Sequence, residues 1–323
     1  MSRTRRITSF VLGGGLLLLA ASAFAARYVD IPGHRTLYAV IASPFLAFAA
    51  PLALLVLLWG RRWVMAVAAV LLAAMLLSVQ LPWYVSAAPT PGGRPLRAMT
   101  VNMLFGQADP RAVAEAAAEQ ADVVMVQELT PEAAGGLADA GIGEAFPHQA
   151  LDARPAAAGV GIYSRFPITE DTRIPGYALA MVKATLHVDG LGYEPTFMSV
   201  HFAAPWPMPI NGWHHDFGKF PATLAEVAAE TGTDAVVIGG DFNATVDMKP
   251  FRDLLTDGYR DAADQAGSGR ELTYPSNSRV PPFMGIDHVI TRNCTAIATQ
   301  TLALPGTDHK ALIATVMLPP RAS

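Results

Sequence analysis

Three apolar blocks occupy the first quarter of the 323-residue chain, at residues 7–26, 37–60 and 63–87. Each has the roughly 20 residues that a helix needs to cross a bilayer. Lipid offers no water to satisfy backbone N–H and C=O groups, so blocks of this kind can only be helices if they enter it. A chain that carries them must divide into a helical, lipid-facing part and whatever the remaining sequence builds. The composition agrees, because 15% of residues are charged, against about 25% in ordinary soluble domains.

The flanks of the blocks predict an orientation. Arg3, Arg5 and Arg6 precede the first, and Arg61 and Arg62 fill the link between the second and third, which places both positions in the cytoplasm. Arg27 and Arg35, accompanied by Asp30, reduce the asymmetry. Three spans from an inside N-terminus leave everything after residue 88 outside the cytoplasm. The alternative is a cleaved signal peptide, since a basic start, an apolar centre and the run Ala-Ser-Ala-Phe-Ala-Ala also fit the first block. The hairpin of the other two blocks would then deliver the rest of the chain to the same side. Cys294 is the single cysteine, so the exported part can form no internal disulfide and must be held by its core.

Residues 1–88 are thus expected to form a membrane region and 89–96 a linker, in which Pro89, Pro91, Gly92, Gly93 and Pro95 break any helix. Residues 97–319 are expected to form one soluble domain. The chain after residue 88 has 16 Lys and Arg against 26 Asp and Glu, a net charge near −10. That balance argues against the phosphate-backbone footprint that nucleic-acid binding needs. Strands are expected at 96–103, 122–126, 159–163, 181–188, 196–202, 235–239, 286–291 and 311–317, and helices at 110–120 and 222–231. Several neighbouring strands lack an intervening helix, which predicts an α/β fold of two packed sheets with mixed or antiparallel pairing.

Polar groups recur where apolar strands finish. Asn102 follows Met99, Thr100 and Val101; Gln127 and Glu128 follow Val-Val-Met-Val; His201 follows Met-Ser-Val. Asp241 and Asn243 follow Val-Val-Ile-Gly-Gly, Asp287 and His288 follow Gly-Ile, and Asp308 and His309 follow Gly-Thr. Any one of these pairs is accounted for by a cap or turn. Together they match what phosphoester hydrolysis requires: a base for water, donors for the phosphoryl oxygens and an acid for the leaving oxygen. Glu128 and Asn102 form a hard-oxygen pair suited to Mg²⁺. Side chains two apart on an extended strand share a face, so Asp241 and Asn243 are expected to point the same way.

The ordered set NMLFG, VQE, SVHFAAP, GGDFNAT, GIDHVI and GTDH resembles the endonuclease/exonuclease/phosphatase superfamily, which includes DNase I, neutral sphingomyelinases, inositol polyphosphate 5-phosphatases and abasic-site endonucleases. The resemblance implies a four-layered α/β sandwich, DNase I-like, with two mixed β-sheets flanked by helices. It implies that Glu128 is the principal ligand of Mg²⁺, or of Mn²⁺, with Asn102 in the same shell and Asp308 supporting the metal or the site. Asp241 would orient or deprotonate water, Asn243 would bond the phosphoryl group, and His201 and His309 would donate to its oxygens, with Asp287 fixing the His309 ring. Arg165 matches a position that is more often structural.

Other residues have plainer accounts. His288 is expected to point away from Asp287 and to be structural. Trp206 and Trp213, near His214 and His215, either form a lip for substrate or cover the sheet, and residues 273–278 are expected to form a rim loop.

Three spans, a short linker and an extracytoplasmic phosphoesterase head are similar to the VanJ-type teicoplanin-resistance proteins of actinobacteria. That resemblance implies a lipid-linked phosphate or pyrophosphate substrate, such as undecaprenyl pyrophosphate, and a change in antibiotic sensitivity. It makes the lipid bilayer the expected partner, with no stable nucleic-acid complex and no obligate protein partner. A nuclease for extracellular DNA, a sphingomyelinase-like phosphodiesterase and a catalytically silent binding module are the alternatives.

Overall fold

A computed structural model describes residues 2–88 and 92–321. Pro89, Thr90 and Pro91, the first part of the expected linker, lie outside the described residues. The chain divides into two units, Met1–Pro82 with Val246–Arg252, and Trp83–Thr245 with Asp253–Ser323.

The first unit contains α1 (Arg3–Ala26), α2 (His34–Leu46), α3 (Ala49–Trp59) and α4 (Trp63–Ser78). Among the described residues, α1 alone is long and apolar enough to cross a membrane unaided. The second expected span is two helices, α2 and α3, bent by 57°. Pro44 near the end of α2 has no N–H to continue the ladder, and the Ser43 hydroxyl donates instead to the Val40 carbonyl. Pro51 sits in the first turn of α3, where an N–H has no helical partner to lose. The third expected span is shortened to 16 residues, with a 3₁₀ turn at Leu81–Tyr84 around Pro82 after it. Among the described residues, one helix, or two if the bent pair counts as one, therefore has the length and hydropathy of a span, in place of the three uninterrupted ones expected, and α4 is apolar but shorter. Buried small residues on α1, among them Ser9, Gly13 and Ala20, let the helices approach closely. A Cβ on Gly13 would lie 2.5 Å from a Leu57 methyl of α3.

The second unit is built on two six-stranded sheets. The first comprises β1 (Arg94–Asn102), β2 (Val123–Gln127), β3 (His148–Asp152), β4 (Val160–Ser164), β11 (Thr295–Ala303) and β12 (Lys310–Leu318), in the order β11-β12-β1-β2-β4-β3. The second comprises β5 (Ile168–Arg173), β6 (Met181–Leu186), β7 (Thr196–His201), β8 (Val236–Asp241), β9 (Arg260–Asp261) and β10 (Asp287–Arg292), in the order β5-β6-β7-β8-β10-β9. The pairs β1/β2 and β7/β8 are parallel and the others antiparallel. Strand β1 begins at Arg94, inside the stretch expected as linker, because it pairs along its length with β12 from Arg94↔Leu318 onward.

Strand alternation sorts the side chains into layers. Ala98, Val123, Met125 and Val316 of the first sheet face Val182, Phe197 and Val237 of the second in the core between them. Their neighbours Met99, Val101, Val124 and Val126 face outward, onto α5 (Pro110–Gln120) and α6 (Pro131–Asp139). A short α7 (Ile142–Ala145) follows, and on the other sheet α8 (Asn211–Thr231) lays Phe217 and Phe220 on Phe202. The short α10 (Ala262–Ala266) completes the helices of this unit, and α9 (Lys249–Arg252) falls in the segment that belongs to the first.

Gly239 and Gly240 leave no room for a side chain, the first against the opposite sheet and the second against the neighbouring strand. A Cβ on Gly239 would lie 2.3 Å from the Met125 methyl of the opposite sheet, and one on Gly240 would lie 1.9 Å from the Val200 carbonyl oxygen of β7.

Candidate active site

The topology gathers the polar strand ends. The parallel strands β1, β2, β7 and β8 finish at one end of the two sheets, and the antiparallel β12 and β10 begin there. Register makes this explicit: Asn102 pairs with Gln127, His201 with Asp241, and Asp287 with Asp241. Side chains remote in sequence converge without any long loop having to carry them.

Asp241 is the centre. Its Oδ2 accepts from Asn102 Nδ2 at 3.1 Å, and the Nε2 atoms of His201 and His309 each lie 3.7 Å from it. Its Oδ1 accepts from the Asn243 backbone N–H at 2.8 Å. Asn102 also donates to Glu128 Oε1 at 3.1 Å, while Glu128 Oε2 accepts the Phe105 N–H. His201 Nδ1 meets the Ala157 carbonyl at 3.1 Å, which turns Nε2 toward Asp241 and, at 3.9 Å, toward Glu128. His309 Nδ1 bonds Asp287 Oδ2 at 2.8 Å. Asp308 Oδ1 lies 3.9 Å from His309 Nε2.

Two of these residues hold strained backbone. Glu128 has φ 55° and Asn243 φ 49°, the left-handed region that side chains other than glycine's seldom occupy. At Glu128 the turn comes immediately after β2. At Asn243 it overturns the expected shared face: the chain has left the strand after Asp241, so alternation does not place this side chain. Its amide instead donates to the Phe202 carbonyl at 2.9 Å, and its own carbonyl accepts from Trp213 Nε1 at 3.1 Å.

Burial and charge act in opposition here. Burial raises the Asp241 carboxyl to about 6; the cationic sides of His309 and His201 pull it back and Asp287 pushes it further up. Burial alone would lower the His309 imidazole, but Asp287 and Asp241 overcome it and raise the ring to about 10. At neutral pH the pair is therefore carboxylate and imidazolium. Asp308 is raised by burial, with Glu128 and Asp287 adding to the shift.

The donor set fits a divalent cation. Oδ1 of Asp287 and Oδ1 of Asp308 are buried with no hydrogen-bond partner, so acceptor capacity is left over beside Glu128 and Asp241. Asp241, Asp287 and His309 also offer ligand atoms within 4.8 Å of one another, although the His309–Asp287 bond already engages Nδ1 of that ring.

All eight residues singled out in the sequence, Asn102, Glu128, His201, Asp241, Asn243, Asp287, Asp308 and His309, lie at this end of the sheets. His288 points elsewhere, with Nδ1 2.8 Å from Asp261 Oδ2 and Nε2 2.9 Å from the Ala244 carbonyl. His215 bonds the Gly176 carbonyl. Arg165 donates to the carbonyls of Ala118 and Ala121 at the end of α5, a structural role. The two tryptophans part company: Trp213 is fully buried beneath the Asn243 turn, whereas Trp206 is exposed.

Sequence reasoning missed several contributors. Tyr274 packs its ring 4.9 Å from that of His309. Thr307 Oγ1 donates to the Asn102 carbonyl and accepts the His309 N–H, tying both ends of the site together. One layer below, Thr100 donates to Gln127, and Gln127 to Ser199 of the other sheet. The legible signal for that layer was a set of polar residues inside otherwise apolar strands.

Residues 99–309 match the sequence model of the endonuclease/exonuclease/phosphatase family. No curated protein gives a sequence match. Among solved structures, an endonuclease/exonuclease/phosphatase from Bacteroides vulgatus is 15% identical with a TM-score of 0.57, covering 70% of this chain and 99% of that one. TDP2 from D. rerio, complexed with single-strand DNA product, is 18% identical with a TM-score of 0.55, covering 69% and 98%. SmcL is 16% identical with a TM-score of 0.53, covering 70% and 99%. At these identities the likeness is one of fold.

Proposed function

Since the chain belongs to the endonuclease/exonuclease/phosphatase family, whose members are hydrolases of phosphoester bonds, we propose that it hydrolyses a phosphoester or pyrophosphate carried on a lipid. The observation that carries the hydrolytic part is the convergence of Asn102, His201 and His309 on one oxygen of Asp241. The lipid part is supported by the apolar α1 and by the acidic balance after residue 88, which disfavours a polyanionic substrate.

Asp241, ionised at neutral pH, accepts the proton of the attacking water. His309, held by Asp287 and protonated, donates to the phosphoryl or leaving oxygen. Asp287 is a positioning residue, since it fixes the ring so that Nε2 faces the reaction. His201, anchored through the Ala157 carbonyl, adds a second ring donor beside Asp241 and Glu128, and Asn243 bonds the phosphoryl group. Glu128 and Asn102, with the spare Asp308 oxygen, would hold Mg²⁺ or Mn²⁺, ions that prefer oxygen ligands. When bound, the ion supplies positive charge to the phosphoryl oxygens.

In this proposal α1, the bent pair α2–α3 and the shorter apolar α4 each cross the bilayer, so the protein is multi-pass with its catalytic unit extracytoplasmic, and anchoring raises the effective concentration of a substrate confined to the same bilayer. A polyprenyl pyrophosphate such as undecaprenyl pyrophosphate is the natural first substrate to test, and altered glycopeptide sensitivity is the cellular consequence. The likeness to a TDP2 bound to single-strand DNA product favours one second reading, a nucleic-acid phosphodiesterase. The deciding experiment measures phosphate release from undecaprenyl pyrophosphate by the full-length protein in detergent, with Mg²⁺ and with chelator, beside plasmid nicking by the same preparation. Metal-dependent release without nicking is expected; nicking without release would leave the catalytic assignment and overturn the substrate.

A further inference from the structure

From residue 92 onward, the exposed large apolar side chains among the described residues are Phe105, Trp206, Met208, Val280, Phe283 and Ile297. All but Ile297 lie on three loops, and each loop is tied to the active site by its own backbone. The loop after β1 gives the Phe105 N–H to Glu128 and the Leu104 N–H to Asn102. The loop between β7 and α8 starts at Phe202, whose N–H bonds the Asp241 carbonyl, and is held by Ala203 donating to buried Asp216. The loop before β10 is anchored by Ser276 donating to the Asp308 carbonyl, while Phe283 donates to the carbonyl of Tyr274, the residue whose ring packs beside that of His309.

Soluble proteins scatter exposed apolar residues singly; a group around one cleft marks an interaction surface. Its chemistry here is specific. Trp206 is 57% exposed, Met208 60% and Val280 58%, so the most exposed members stand well clear of the domain. Arg279 is exposed immediately beside Val280, giving the rim a cation among aromatic and aliphatic groups. Trp and Phe with Arg is the composition that enters the headgroup layer of a membrane, with the cation complementary to anionic lipid phosphate. Nucleic acid offers no hydrocarbon layer for Met208, Val280 and Phe283 to enter, so the exposed apolar groups favour a bilayer over it.

We propose that this rim is a lipid-docking face: the loops bearing Phe105, Trp206, Met208, Val280 and Phe283 enter the interfacial layer of an anionic bilayer, and Arg279 pairs with its phosphates. The active site then opens onto the surface where lipid headgroups lie. The inference rests on the lipid-phosphate reading for its purpose but not for its measurement.

The test uses the full-length protein in vesicles containing phosphatidylcholine, with and without phosphatidylglycerol, in a Cys294→Ala background. An environment-sensitive fluorophore is attached in turn through Met208→Cys, Val280→Cys and, as a control, Ile297→Cys. The expected result is strong quenching by spin-labelled lipid at the first two positions and little at the third, increased by phosphatidylglycerol, with that increase lost on Arg279→Gln. Equal quenching at all three positions, or none at the rim, would overturn the proposal. A second measurement compares turnover of membrane-borne and short-chain, water-soluble pyrophosphates. The triple variant Trp206→Ser, Met208→Ser, Val280→Ser is expected to lose about tenfold or more on the former, equivalent to about 1.4 kcal/mol or more of apolar insertion, and to stay within about twofold on the latter. Equal loss on both would count against docking. Quenching at the rim without lipid pyrophosphate hydrolysis would leave docking standing and remove the substrate; hydrolysis without rim quenching would do the reverse.

Discussion

At the scale of single residues, the site is a problem of placing one negative and one positive group within 4 Å of each other in a dry environment. Asp241 at about 6 and His309 at about 10 define a window in which the first is ionised and the second protonated. Activity is expected to rise as pH passes upward through about 6, where Asp241 loses its proton, and to fall as pH passes through about 10, where His309 loses its own. A kcat/KM profile flat across either limb would contradict these roles. Asp287→Asn removes the largest group that raises His309, so the alkaline limb is expected to move to lower pH, while the circular dichroism spectrum is unchanged. Asp241→Ala and His309→Ala are each expected to reduce turnover by about 10²–10⁴, the usual contribution of a positioned acid or base. His288 offers a contrast: both ring nitrogens face acceptors, Asp261 and the Ala244 carbonyl. Burial opposes its protonated form, and the bond to Asp261 outweighs that and raises the ring. Its role is to fix the turn that follows Asn243.

At the scale of elements, the glycine pair before Asp241 sets how close two strands and two sheets come. Gly240→Ala drives a methyl into the Val200 carbonyl, a backbone atom that cannot rotate away. A loss of about 1–3 kcal/mol is expected, read as a lower melting temperature and as lower activity, since β7 and β8 end in His201 and Asp241. Gly135→Ala on α6 meets nothing within 4 Å, so it is expected to stabilise by about 0.5–1 kcal/mol. These elements also show what the sequence made legible. Helix α5 was readable to the residue because Asp109 caps it and Pro110 opens it. The first half of α8 was not, because Pro207, Pro209, Gly212 and Pro221 break every helical signal while buried Trp213 and Phe217 hold the segment by packing. Strands β5 and β11 were missed because they are edge strands, largely uncovered, with little apolar alternation. The eight polar positions stood out since each interrupts an apolar run. Tyr274 did not, because its role is a contact with His309 made across tens of residues, which no local pattern records.

At the scale of the whole molecule, the expected cation links chemistry to stability. Adding Mg²⁺ is expected to raise the melting temperature by an amount corresponding to about 2.7 kcal/mol at a hundred times its dissociation constant. Glu128→Gln is expected to lose most of that rise together with metal-stimulated turnover; a melting temperature indifferent to both metal and chelator would contradict the assignment. The net charge near −10 after residue 88 predicts no saturable binding of DNA at physiological salt, checked by fluorescence anisotropy. The pairing of β1 with β12 has a further consequence, for biogenesis. The candidate site residues are spread from Asn102 to His309, and β1, which opens the first sheet, finds its antiparallel neighbour only in the distant β12. A chain emerging vectorially from ribosome or translocon therefore carries most of its reactive groups while still inert. It becomes competent in one late event, the capture of β12, which delivers the proton donor and closes the sheet together. The appearance of activity during synthesis would in that sense be a clock for completed folding, since a pause upstream of His309 leaves a molecule without its proposed proton donor.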